Sequence, residues 1–393
     1  MGYDDDPAMT TSESSLADCV ARLVLSQYAS LCVRDSVAGA WTVIAGMVVE
    51  DERAEAGHEL RVVSVASGCK SLAGSPESLN VVRDAHAEVL ARRGLRLALQ
   101  EDLRRLLSGR EGLGLLEPSG DDAYMLRRGL RLHLYTSSPP CGDASIYALE
   151  EGFHFTGAKL PDWRREADQK LGATRLKPAR SDATRRSTSL SCSDKLCRWA
   201  LAGLEGALLS YWLVADNENP SSRRRGAVSL DSLVVGVEDP RRKEAILAAA
   251  QRGIVDRAEA TRRLLAVPCT LAVTATTVVP SFATNTPSHI AACWWLGLPL
   301  AERDVIVAVT GRPLGVGPRS TRRSRLCPGA LFDDSFPRPP AVDATKDYAA
   351  WKQDAPGARL ATAIADIQLA DFPPDFVKRR RRYKNIPEDN ISS

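Results

Sequence analysis

Hydrophobic positions change period several times along the chain. In LADCVARLVLSQYASL, Val20, Leu23, Val24 and Tyr28 recur at helical spacing. WTVIAGMVV and RVVSVAS are short apolar runs rich in β-branched residues, and they predict two neighbouring strands joined through DERAEAGHEL. From Asp84 the stretch DAHAEVLARRGLRLALQEDLRRLL predicts a long helix, with Val89, Leu90, Arg93 and Leu97 along one face. LRLHLYTS is the next strand, and it runs into SPPCGDASIYALEEG, a turn followed by a helix. Strand, helix, strand, helix implies an α/β core, built in three layers.

Residues 155–190 are polar and rich in Arg and Lys, and they fit a long insertion. KLCRWALAGLEGALLSYWL, residues 195–213, predicts an apolar helix, with Leu196, Trp199, Ala200, Gly203, Leu204, Ala207 and Leu208 at helical spacing. Strands follow at AVSLDSLVVGV, TLAVTATTVVP and DVIVAVTG. Helical stretches from Thr345 to Leu369 break near Pro356-Gly357. The expected organisation is a disordered acidic N-terminus (1–15), one large domain (16–376) carrying the insertion, and a basic tail (377–393).

Composition narrows the partners. Lys plus Arg total 52 against 49 Asp plus Glu, a net charge of +3, so a polyanion must be held by local basic patches. No apolar run reaches 18 residues, which argues against a membrane partner. Nine cysteines, an odd number in a chain with no secretory signal, fit reduced thiols or metal ligands better than a disulfide framework. An intracellular protein, in cytoplasm or nucleus, is expected.

The candidate chemistry starts at His86-Ala87-Glu88. H-x-E followed by P-C-x-x-C is the signature of zinc deaminases, whose Glu shuttles protons without binding metal. Pro140-Cys141 supplies the second half, although position 144 is Ala where another Cys is expected. Hydrolytic zinc wants three protein ligands and one open position. The third is Cys192, in SLSCSDKL just before a helix, or Cys269, in VPCTL beside a strand. Helix N-termini favour thiolates at such positions.

HAEVLARR, SSPPCGDASIY, KPARSDAT, SCSDKLCRWALAGLEGALLS and SRLCPGALFD together resemble the adenosine deaminase domain shared by tRNA-specific adenosine deaminases and the ADAR enzymes. The resemblance implies a cytidine-deaminase-like fold, a mixed sheet with helices on both faces. It also implies zinc on His86, Cys141 and Cys192 with Glu88 as acid and base. The activity it implies is a hydrolase acting on the C–N bond of a cyclic amidine. Its substrate would be tRNA, bound through the anticodon loop and deaminated at the adenosine 3′ of the anticodon (position 37), in tRNA-Ala by family resemblance. It implies a monomer with no DNA partner. Alternatives are ADAR-like editing of double-stranded RNA, deamination of a free nucleoside, and an inactive RNA-binding relative.

Lys195, Arg198 and Glu205 interrupt an apolar helix, and Arg92 and Arg93 interrupt the His86 helix, which points to a buried anion. The resemblance implies inositol hexakisphosphate there, held by Arg92, Arg93, Lys195, Arg198, Tyr348 and Lys352, with Asp84 and Lys177 relaying between that anion and the zinc. Two departures from the family are Glu205, where a Gln is usual, and Cys69, where a Thr is usual. Expected RNA contacts are Lys70, Arg175, Arg180, Arg185, Arg186 and the tail Lys378 to Arg382, which also fits a nuclear address.

Overall fold

β1 (Ile44–Asp51) and β2 (Glu59–Ser67) pair antiparallel, and their apolar runs are buried on both faces. Ala45, Met47 and Val49 point to one side of the sheet, Ile44 and Val48 to the other, as the two-residue pleat requires. A bulge opposite Met47 and Val48 puts Val63 on the same side as Ser64, so β2 serves both layers. The computed structural model describes residues 15–33, 39–54, 58–72, 78–120, 122–147, 158, 170–177, 189–215, 227–265, 271–317, 319–332, 348–356 and 358–370. Arg180, Arg185, Arg186, Cys269, both termini and most of the 155–190 stretch lie outside them.

α1 (Leu16–Ser30) is capped by Ser15, whose hydroxyl accepts from the Asp18 amide, and it buries Val20, Ala21 and Val24 against one face of the sheet. After β2 come two three-residue strands, β3 (Cys69–Ser71) and β4 (Asp84–His86), and then the long α2 (Ala87–Leu107) on the opposite face. Leu90, Leu95 and Leu99 are fully buried there, each contributing roughly 1.5–3 kcal/mol by leaving water. The small hairpin of β5 (Leu116–Pro118) and β6 (Tyr124–Leu126) leads to β7 (Leu130–Thr136), which pairs antiparallel with β1.

α3 (Cys192–Ala202) and the single turn α4 (Gly206–Leu209) precede β8 (Ser232–Gly236). α5 (Lys243–Ala250), a π-helical segment (Gln251–Asp256) and α6 (Arg257–Leu265) then return the chain to β9 (Ala272–Thr276). β10 (Ile290–Trp295), β11 (Asp304–Val307) and β12 (Arg312–Pro313) extend the other edge, and α7 (Tyr348–Asp354) and α8 (Ala358–Gln368) follow. The eight-stranded sheet runs β12-β11-β10-β2-β1-β7-β8-β9, with only β7-β8 and β8-β9 parallel. The expected mixed α/β sheet between helical layers is therefore present.

Two expectations about elements are corrected, and the expected helix after Cys141 lies largely outside the described residues. The helix begins at Ala87 and not at Asp84, because Asp84–His86 pairs with Cys69–Ser71. The 195–213 helix breaks at Gly203, which adopts φ 80°, so Glu205 sits in a turn. The stretch after Cys141 forms only one 3-10 turn, Asp143–Ser145, before the described residues stop at 147. Among the described residues no helix is long and apolar enough to cross a membrane.

Far from that turn, His133 on β7 lies between Ser232 Oγ, 2.7 Å from Nδ1, and Glu50 Oε2, 3.1 Å from Nε2. Burial pushes the His133 pKa down, against the pull of Glu50. A histidine kept neutral in the fold binds fewer protons than its unfolded counterpart, whose pKa is about 6.5. Its contribution to stability is thus present above pH ~6.5 and lost as pH falls toward the folded value. Urea midpoints between pH 7.5 and 5 should fall less steeply in His133→Gln than in the parent; parallel curves would contradict this.

Candidate active site

Three chain segments converge above the sheet. His86 ends β4 and caps α2, Cys141 lies in the turn after β7, and Cys192 is the first residue of α3. Their donor atoms all lie within 4.8 Å of one another, the only such His/Cys/Asp/Glu group among the described residues. His86 Nδ1 is 3.8 Å from Cys141 Sγ and 3.6 Å from Cys192 Sγ. Tetrahedral zinc with Zn–S near 2.3 Å and Zn–N near 2.05 Å would set such donors about 3.6 Å apart. The donor set fits that ion.

The local backbone explains why these side chains meet. Ser193 Oγ donates to the carbonyl of Cys141 at 2.9 Å and accepts from the Ala144 amide at 3.1 Å, stitching the Cys141 turn to α3. Gly142 adopts φ 106°, and a Cβ there would sit 2.3 Å from Ser191 Oγ. Gly142→Ala should therefore cost about 1–3 kcal/mol in backbone strain alone and weaken metal retention. Parental urea stability and metal content in that variant would count against this account.

The Cys192 amide donates to Cys141 Sγ at 3.3 Å, and Lys177 Nζ donates to Cys192 Sγ at 3.2 Å. The two thiols titrate as a pair. The hydrogen bond from Cys192, with Lys177 and His86 nearby, holds Cys141 well below the usual thiol range, while burial pushes Cys192 up.

Glu88, in the first turn of α2, is 3% exposed, and its Oε2 has no hydrogen-bond partner among the described residues. Burial raises its pKa, opposed chiefly by His86. A buried carboxyl group whose pKa is raised suits both taking and giving a proton. Asp84 and Lys177 stand behind the ligands. Lys177, fully buried, donates to both Asp84 oxygens at 2.9 Å, and Asp84 also accepts from the His86 amide at 3.1 Å. Lys195 and Ser189 bind Asp84 as well.

A model of the adenosine-deaminase (editase) domain matches residues 64–355, well over half of the chain. The chain belongs to the adenosine-deaminase (editase) family. The tRNA-specific adenosine deaminase 1 of Drosophila melanogaster is 32% identical over 212 residues, covering 48% of this chain and 50% of that protein. The double-stranded RNA-specific editase Adar of the same fly is 30% identical over 213 residues, covering 49% of this chain and 31% of its own length. The chain thus matches at most half the length of these two relatives. A solved deaminase, Rib2 of Aspergillus oryzae, overlays at TM-score 0.25 and 11% identity, covering 67% of this chain and 85% of that one, too loosely to add to the argument.

Within this editase domain the other expected residues divide. Arg92 lies over the Trp199 ring, 4.9 Å from its centroid, and its buried Nε has no hydrogen-bond partner among the described residues. Burial and the neighbouring Arg96 hold its pKa well below the ordinary value. Arg93 donates to the Leu326 carbonyl and Arg198 to the Ala361 carbonyl, at 2.5 and 2.7 Å. Lys195 is turned to Asp84 and Ser189. Lys352 is half-buried on α7, and the Tyr348 side chain lies outside the described residues. Glu205 accepts from the amides of Ala227 and Val228 at 3.0 and 3.2 Å, so the acid caps a backbone turn.

Lys70 sits at the rim on β3, its Nζ 3.1 Å from both the Pro287 carbonyl and His289 Nδ1. Arg175 corrects an expectation. It is fully buried and donates to the Lys170 carbonyl at 2.5 Å, so it supports the loop beneath α3 and is not an RNA contact. His289 and Ser189 went unnoticed in the sequence; neither carries a motif signal, and long-range folding brings each of them to the site.

Proposed function

We propose that this chain is a zinc-dependent deaminase that hydrolyses adenosine to inosine in tRNA, at the nucleotide 3′ of the anticodon and in tRNA-Ala. One observation carries the reading: one imidazole and two thiol donors surround a point beside a buried carboxylate whose Oε2 has no hydrogen-bond partner among the described residues. His86, Cys141 and Cys192 would hold the ion, which supplies Lewis-acid activation of water.

The protein's part is the handling of protons and position. Glu88 Oε2 would accept one proton from the water that attacks C6 of adenine and deliver it to the ring nitrogen, then carry the second proton, from the new C6 hydroxyl, to the amine, which leaves as ammonia. Lys177 steadies the Cys192 thiolate by a charged hydrogen bond, and Asp84 fixes the His86 backbone. The target base must leave its stack, which costs least in a loop already single-stranded. Lys70, on the rim, is placed for the RNA backbone.

Arg92, Arg93, Arg198 and Lys352 would hold inositol hexakisphosphate. The buried Arg92 Nε, without a hydrogen-bond partner among the described residues, and the crowding of guanidinium groups around it support an anion there. The likeness to the tRNA deaminase and to the duplex editase is of similar strength, so editing of double-stranded RNA is the second reading.

The test uses purified, zinc-loaded protein on an anticodon stem-loop, a long RNA duplex, free adenosine and free cytidine, read by mass spectrometry. Inosine confined to the stem-loop supports the first reading. Inosine in the duplex supports the second. Turnover of a free nucleoside, or no turnover on any substrate, overturns both.

A further inference from the structure

The π-helical segment Gln251–Asp256 interrupts what would otherwise be one helix from Lys243 to Leu265. π-turns are rare and cost hydrogen-bond geometry, so one that persists is held by something it achieves. Here it carries two arginines, Arg252 within it and Arg257 at its end, that reach toward the turns bearing the candidate metal ligands. Arg252 Nη2 donates to the carbonyls of Asp143 and Ile146, at 3.1 and 2.8 Å, and its Nε lies 3.5 Å from Asp143 Oδ2. Those carbonyls belong to the 3-10 turn that directly follows Cys141. Arg257 Nη2 pairs with Asp194 Oδ1 at 2.7 Å and donates to Thr174 Oγ1 at 2.9 Å. Asp194 lies in the first turn of α3, two residues after Cys192.

In an unbroken α-helix residues five apart diverge by about 140°, at about 100° per residue. Arg252 and Arg257 would then leave the helix on different sides. The wider turn closes i to i+5 and brings them to the same side. Gly253 lets the segment approach: a Cβ there would lie 2.6 Å from the Ala144 amide nitrogen. The anchors continue through the loop that carries Lys177. The Gly172 amide donates to Asp143 Oδ1 at 2.9 Å, and the Arg175 amide to Asp194 Oδ2 at 2.9 Å.

We infer that Arg252 and Arg257, aligned by the π-turn, are positioning residues that fix the two cysteine-bearing turns at the spacing a metal ion requires. Arg252 holds the Cys141 turn, and Arg257 holds the start of α3. Neither touches substrate or metal; they act by keeping the two sulfurs from drifting apart. The inference rests on the reading of His86, Cys141 and Cys192 as a metal site.

The test compares the parent with Arg252→Gln and Arg257→Gln, each stripped of metal and titrated with Zn2+ against a chromogenic chelator and separately with Co2+. Partners that orient ligands typically change affinity 10–100-fold when removed. The expected result is a 10–100-fold weaker zinc affinity in each variant, with shifted Co2+ d–d bands and apo melting temperatures near the parent's. Arg252→Lys and Arg257→Lys, which keep the charge but not the fork, carry the same test should a glutamine variant not fold. Parental affinity and unchanged cobalt bands would overturn the inference and leave the metal reading standing. Weaker affinity with unchanged bands and a matching drop in apo melting temperature would reduce the pair to general stabilisers and overturn it too. A parent that takes up no stoichiometric metal would overturn the metal reading and, with it, this one.

Discussion

Glu88→Gln is expected to lower inosine formation by about 10²–10⁴-fold, the usual contribution of a positioned acid and base. Metal content, melting temperature and KM for the RNA should stay near parental values. The expectation follows from the placement of Glu88 Oε2, buried beside the donor cluster with no hydrogen-bond partner among the described residues and therefore placed to handle the proton of an attacking water. Glutamine keeps the size and burial of the side chain but cannot take that proton. Single-turnover assays, read as kcat apart from KM, check it. Near-parental turnover would remove Glu88 from the reaction.

The largest effect on stability is expected from Lys177→Met. Lys177 is fully buried, and Asp84 draws its pKa upward against the effect of burial. Burial alone would raise the Asp84 pKa, but Lys177 and Lys195 outweigh it and hold it well below the usual carboxylate range. Breaking a buried pair by removing one partner costs about 3–5 kcal/mol, and because Lys195 and Ser189 still bind Asp84 the loss here should fall at or below the low end of that range. Asp84→Asn in the same chain should recover part of that loss, since the two residues touch.

The sign with pH follows from both shifts. The depressed Asp84 contributes fully above its unfolded pKa of about 3.9, and the raised Lys177 contributes fully below its unfolded pKa of about 10.4. The part of the difference between parent and Lys177→Met that comes from the Asp84–Lys177 pair should therefore be constant from about pH 5 to 9, and zinc-loaded protein keeps the thiols beside Lys177 from titrating there. Urea unfolding across that range measures it, and a penalty that vanished near pH 7 would contradict the account.

Legibility in the sequence followed periodicity and stopped where long-range pairing took over. α1, β1, β2 and β7 were readable because their apolar positions repeat at one period. The true start of α2 was not, since Asp84–His86 becomes a strand only by pairing with β3, whose partners lie some fifteen residues earlier. IAACWW has no alternation to read, because β10 is buried on both faces between two neighbours. The Lys243–Leu265 helices were missed for a related reason: the π-turn shifts the apolar period partway through.

The site shows the same division. His86, Glu88 and Cys141 carry their chemistry in local spacing, and Cys192 stood level with Cys269 until the resemblance separated them. Arg175 read as a surface charge because a sequence records the sign of a side chain and not its depth. Arg252 and Arg257 could not be read at all. They act on backbone carbonyls and on an aspartate that only the folded chain brings within reach.

The three donor residues come from separate segments, with His86 and Cys192 106 positions apart and the central strand β7 lying between them in sequence. No two of the three donors are close neighbours in the sequence, so the unfolded chain does not hold the set together, and closing so long a loop is slow. An ion held there therefore binds the finished fold and not its precursors, and stabilises it by mass action, about 4 kcal/mol when free metal exceeds Kd a thousandfold. Metal occupancy is then a measure of how much of a preparation has completed folding, and chelators should accelerate its loss to proteolysis.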